Sequence, residues 1–249
     1  MNKKNQLDQF NSQGILRCAR YAFMTYELKL CTPKSNQDFF AHYTGGGLNS
    51  ILKEFQTLYP YLEFIARANG VKDPFNEQVV EAYWIGNQLL ENITKSELYN
   101  HLIDRIELKK RLNTKLLRQV INKIPLGARP HHNFHVLNIG KRTGNLDIMH
   151  TLNTMDLCRI SWGKIKKIDL PNLEVEYQPL VLENDELKLG SVVPQKVLTE
   201  MNDTGFIKKP CLGQWISFHW GFVCEILNNR QVANLKKYTQ ESIQLVNTA

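Results

Sequence analysis

"RISWGKIKKIDLPNLEVEYQPLVL", residues 159–182, is where the chain changes period. From Arg159 onward apolar and polar residues alternate, as in a strand with one buried face. Pro171-Asn172 breaks the alternation as a turn signal, and Asn184-Asp185 breaks it again ahead of "ELKLGSVVP". "GQWISFHW", residues 213–220, alternates in the same way. Three to five short strands are expected, enough for a small antiparallel sheet, and residues 228–247 return to a helical pattern.

Upstream of Arg159 the spacing is helical. "GILRCARYAFMTYEL" places apolar residues at 15, 16, 19, 22 and 23. "GGGLNSILKEFQTLYPYLEFIARANG" follows a glycine cluster and stops at Asn69-Gly70, with Pro60 marking a kink or break in its middle. "KDPFNEQVVEAYWIGNQLLENI" offers Asp73 as N-cap and Pro74 at the first helical position. "SELYNHLIDRI", "LNTKLLRQVINKI" and "GNLDIMHTLNTMDLC" complete the helical series. The expected fold class is α+β: mainly a helical bundle, with a small antiparallel β element near the C-terminus and a closing helix. Residues 1–13 have little to bury and are expected to be disordered. Residues 14–157 form a helical region, and 158–249 form the sheet with C-terminal helices, the last two sharing one core.

The chain has 249 residues, 43% hydrophobic and 22% charged, which is ordinary for a globular protein. Its lysine-bearing start lacks the apolar stretch of a secretory signal, and no run approaches the roughly 20 apolar residues of a membrane span. A cytoplasmic protein is expected. Five cysteines, at 18, 31, 158, 211 and 224, form no CxxC pair, so a metal site built from them must be assembled across the fold. Residues 105–167 hold 14 Lys and Arg against 3 Asp and Glu, although the whole chain carries only +7. Such a segment suits an acidic partner, or else is a solvated helix face. It lacks the interleaved aromatics of a base-stacking platform, which argues against nucleic acid. GxxxxGK[ST], GxGxxG after a strand and GxSxG are all missing.

Three stretches carry candidate chemistry. "PHHNFHV" spaces His131, His132 and His135 so that, on a helix opening at Pro130, two imidazoles share a face as in a metal-chelating turn; equally, one ring caps the helix and another is a core residue. "WISFHWGFVCEIL" sets His219 between Phe218 and Trp220 in what reads as a strand-to-helix turn, with Cys224 beyond it in a helix. Burial there would keep the imidazole neutral, for ligation or for base chemistry. In "VVEAYWIGN" Glu81 lies in an apolar helical stretch, where a carboxylate is either a catalytic acid or the partner of Arg17 or Arg20. Cys158, at the helix-to-strand junction, is a possible soft ligand.

"LRCARYAF…LKLC", "YPYLEFIARANGVKDPFNEQVVEAYWIGN", "PHHNFHV", "LCRISWGKI" and "ISFHWGFVCEIL" stand in the order of an uncharacterised prokaryotic family of about 250 residues, which the chain resembles from about residue 15 to residue 240. Members of that family are encoded near nickel–iron hydrogenase genes. The shared pattern coincides here with Arg17, Tyr21, Cys31, Glu81, Tyr83, Trp84, Asn87, His132, His135, Cys158, Arg159, Trp162, His219, Trp220 and Cys224. The chain departs from it at "KLCTP", where relatives read "GYCGP". The resemblance implies an accessory or maturation factor for a hydrogenase-type metalloenzyme, with a hydrogenase subunit or maturation protein as partner. On residue types, the metal, nickel, iron or zinc, would sit among His132, His135, His219, Cys158 and Cys224, with Glu81 orienting an imidazole; Glu81, His132 and His135 are the candidate catalytic residues. Two other readings stay open: a metal-free enzyme using histidine and Glu81 as acid and base, and a basic interaction module.

Overall fold

The computed structural model describes residues 12–31, 39–140, 150–201 and 204–248. Half of the described residues are helical and a fifth are strand. The helices are α1 (Gln13–Glu27), α2 (Phe39–Gly45), α3 (Leu48–Lys53), α4 (Leu58–Ala68), α5 (Glu77–Trp84), α6 (Lys95–Asn100), α7 (Leu108–Arg111), α8 (Thr114–Lys123), the single turn α9 (His132–Phe134), α10 (Leu152–Cys158) and the closing α11 (Asn229–Asn247). Two π-helical turns, His101–Arg105 and His135–Ile139, continue α6 and α9. The expected disorder before residue 14 lies largely outside the described residues, as does the first part of the helix expected over 144–158.

The expected mainly helical bundle with a small antiparallel sheet is not what forms. Five of the strands, β1 (Ser161–Asp169), β2 (Asn172–Tyr177), β5 (Val193–Leu198), β8 (Trp215–His219) and β9 (Phe222–Leu227), close into a barrel in the order β1-β2-β5-β9-β8. The sheet is mixed, because β5 runs parallel to β9 at Leu198 and Phe222 while the other pairs are antiparallel. β3 (Leu180–Glu183) and β4 (Glu186–Leu189) form a separate hairpin, and β6 (Glu200–Met201) pairs with β7 (Thr204–Gly205).

One short turn accounts for much of the difference. After His219 the chain forms a tight hairpin and no helix, with Trp220 at φ 53° and Gly221 at φ 74°. Two residues with positive φ make the mirror-image turn whose twist matches a two-residue hairpin. "FVCEIL" therefore returns as β9, placing Val223 inside the barrel. The barrel interior is filled by Ile165, Leu173, Val175, Val197, Ile216 and Val223.

Local chemistry explains other boundaries. Pro60 falls in the first turn of α4, where a missing N–H is harmless, and the break lies between α3 and α4. Asp73 does not cap α5: its carboxylate accepts the Phe75 N–H, and Asn76 caps Gln78 instead. α11 opens with a reciprocal capping box between Asn228 and Gln231.

The largest buried cluster draws from α1, α4 and α5, from Trp162, Phe222 and Cys224 of the barrel, and from Leu235 and Tyr238 of α11. No helix among the described residues is long and apolar enough to cross a membrane.

Asn133 fastens α9 to this frame. It is fully buried, and its Oδ1 accepts the Ile160 N–H at 2.7 Å while its Nδ2 donates to the Ile160 carbonyl at 3.1 Å and to Thr239 Oγ1 at 2.8 Å. The amide pairs with the backbone ahead of β1 as a neighbouring strand would. Asn133→Ala strips partners from two buried backbone groups and is expected to lower stability by about 2–4 kcal/mol in chemical denaturation. A loss below about 1 kcal/mol would contradict this role.

Candidate metal centre

His131 opens α9 as its N-cap, its Nδ1 accepting the Asn133 N–H at 3.2 Å while the ring stacks on Tyr238. Burial pulls its pKa down to about 3, so it is a neutral structural ring. The cap turns the next residue, His132, toward the junction between α10 and β1. There His132 Nε2 lies 2.8 Å from the carbonyl oxygen of Cys158, which can only accept, so Nε2 carries the proton. Nδ1 is then the acceptor nitrogen, 3.3 Å from the hydroxyl of Tyr83 on α5.

His219, the last residue of β8, is fixed by α1. Its Nδ1 donates to the Tyr21 carbonyl at 2.7 Å, which leaves Nε2 as the nitrogen with the lone pair. Both imidazoles are thus held by backbone carbonyls in one tautomer, the arrangement that orients histidine ligands. The rings lie 5.2 Å apart between centroids, and the Trp84 indole packs 4.6 Å from one and 6.0 Å from the other. Burial first, and the neighbouring His219 ring second, hold the His132 pKa well below its ordinary value.

Cys158 completes the cluster. One ring nitrogen of His132, one of His219 and the Cys158 Sγ lie within 4.8 Å of one another, and all three residues are buried. A tetrahedral site with bonds of 2.0–2.3 Å spaces its donor atoms about 3.3–3.7 Å apart, so a closure of about 1 Å brings these three into ligating range. They face a cavity of about 50 Å³.

The remaining candidates fall elsewhere. His135 and Cys31 line the same cavity but are not members of the three-residue group; His135 Nδ1 shares a hydrogen bond of 3.2 Å with the Tyr61 hydroxyl. Cys224 is buried and is neither in the three-residue group nor among the described cavity-lining residues; its Sγ lies 3.7 Å from the Phe222 carbonyl, and burial together with the adjacent Glu225 pushes its thiol well above the usual range.

Glu81 does not reach the cavity wall. It binds Arg17 at 3.0 Å, Gln231 at 3.0 Å and Arg230 at 3.4 Å. Arg17 also grips Glu225 at 2.7 Å, and Glu225 accepts from Tyr21 at 2.6 Å. This network seats α1 on the β8–β9 hairpin, and Tyr21, whose carbonyl holds His219, belongs to it.

Asn133, the Tyr83 hydroxyl and the Tyr21 carbonyl carry no motif that marks them as site groups in the sequence. The resemblance flagged the first tyrosine and the second by pattern only, and a backbone carbonyl leaves no mark in sequence.

Fold and cluster together define a protein in which helices pack against a closed, mixed five-stranded barrel and a mixed imidazole–thiol group is buried at their junction. The chain belongs to the family of unknown function DUF6390, which matches residues 10–249. No curated protein and no solved structure matches it.

The Arg17 network sets an acid dependence. Burial raises the Glu81 pKa, but the Gln231 hydrogen bond and Arg17 outweigh it, leaving the carboxyl below its usual value of 4.5. A folded pKa that is depressed gives stability that is complete above about 4.5 and is lost as pH falls through the lower folded value. Glu81→Gln is expected to flatten the fall in unfolding free energy between about pH 6 and pH 3. Parallel wild-type and variant curves would contradict the assignment.

Proposed function

We propose that this protein binds a divalent transition metal through His132, Cys158 and His219, with one coordination position left facing the cavity. The observation that carries this reading is the convergence of two tautomer-fixed imidazoles and one thiol from three separate segments. Two nitrogens and a sulfur suit nickel, iron or zinc, and three protein ligands with an open position is the pattern of a reactive metal site as opposed to a closed structural one. The ligands are distant in sequence, so the site exists only in the folded chain, and binding adds to folding stability.

The finer reading is that the metal is held in the service of a nickel–iron hydrogenase-type metalloenzyme, with this chain as its accessory or maturation factor. Its support is the family resemblance together with a donor set that accepts nickel and iron. Cytoplasmic placement and a hydrogenase subunit or maturation protein as partner go with that reading.

Metal content of untagged protein is the direct test. The wild type is expected to carry near-stoichiometric metal, and His219→Ala and Cys158→Ser to lose most of it while keeping their circular dichroism. Equal, negligible metal in all three proteins would end the proposal. Nickel or iron in excess of zinc would favour the hydrogenase reading, and zinc alone would count against it.

A further inference from the structure

We propose that the open position of this site takes a small monoanion, held between the metal and the hydroxyl of Tyr83. The inference rests on the metal reading above and deepens it by naming the class of ligand.

Charge is the first argument. A divalent ion with one thiolate and two neutral imidazoles leaves a net +1. Among the described residues lining the cavity there is no Asp, Glu, Lys or Arg. An uncompensated charge buried among Phe55, Leu58, Trp84 and Val136 is costly, and one negative charge removes the cost. A dianion overshoots it, and a neutral ligand leaves it in place.

Hydrogen bonding is the second argument. The Nε2 proton of His132 is committed to the Cys158 carbonyl, so the lone pair available to a metal is on Nδ1. The Tyr83 hydroxyl lies 3.3 Å from that same nitrogen. A metal taking the Nδ1 lone pair takes the acceptor from the phenol, whose proton must turn to another one. With a wall that is otherwise largely apolar, an accepting atom on an incoming ligand fits that need. A neutral phenol is also a donor that adds no charge to the site.

Size is the third argument. The cavity of about 50 Å³ compares with the roughly 10–15 Å³ a single water requires by the same measure, so a ligand of about three heavy atoms fills it.

The test uses cobalt(II) as the probe metal and azide as the probe anion. Cobalt bound to the full chain reports the site by its visible and thiolate charge-transfer absorption, and azide is then titrated into the loaded protein. The expected result is a saturable azide response, unaffected by equimolar sulfate or benzoate. In Tyr83→Phe, cobalt affinity is expected to be unchanged or tighter, because a competitor for Nδ1 is gone, while azide affinity falls about tenfold. Azide affinity within twofold of wild type in Tyr83→Phe overturns the role of the hydroxyl. Sulfate or benzoate binding as tightly as azide overturns the ligand class. An azide-silent cobalt site whose absorption is lost in Cys31→Ser overturns the open position in favour of a fourth protein ligand. A wild-type chain that takes up no cobalt overturns the metal reading itself, and is distinguishable from each of the others because it appears before azide is added.

Discussion

The pairing of one side-chain amide with one backbone residue, Asn133 with Ile160, sets the geometry of the whole junction. Asn133 follows His132 directly, and Ile160 comes two residues after Cys158. The double hydrogen bond therefore fixes the distance between the two segments that carry an imidazole and a thiol. Thr239, which also bonds to Asn133, ties the closing helix to the same point. Inside a core with no competing water, each of these bonds has a well-defined partner, and loss of one leaves a buried group unsatisfied.

The third arm of the cluster is held from the other side of the molecule. α1 presents two faces of the same residue: the Tyr21 side chain enters the Arg17–Glu225 network and contacts Ser217 at 2.9 Å, and its carbonyl holds His219. The Tyr21 ring also stacks on Trp84 at 5.3 Å, and Trp84 packs on both clustered histidines. Burial opposes the Arg17 charge, yet Glu225, Tyr21 and Glu81 hold its pKa above the ordinary value. Charge pairing thus positions a neutral, desolvated site without entering it.

Much of the secondary structure was legible because it depends on local spacing. The helical face of α1, the turn at Asn184-Asp185 with both residues at positive φ, and the closing helix all follow from pattern and turn chemistry. The barrel was not legible, because closure depends on the partners of β5 and β9, which lie far apart in sequence. Trp220 disguised the decisive turn, since a tryptophan at φ 53° is not a usual hairpin residue and Gly221 alone reads equally as a helix boundary. At the site, residue types were readable but roles were not. His131 and His132 are neighbours of the same chemistry, and only the hydrogen bond to Asn133 N makes one a cap while the other faces the cavity. For Glu81 the sequence offers a catalytic acid or the partner of Arg17 or Arg20, and the pair with Arg17 forms; Gln231, its other close partner, comes from the far end of the chain and leaves no local mark.

The hairpin at Trp220-Gly221 has a bearing on how the molecule is made. His132 and Cys158 emerge from the ribosome well before His219, and the strand that follows the turn must pair before the barrel can shut. A nascent chain therefore displays two of the three donors until the β8–β9 hairpin has been synthesised, and only then can the three side chains meet. Completion of the cluster therefore waits on that hairpin, and it separates a chain that has made the turn from one that stops short of it.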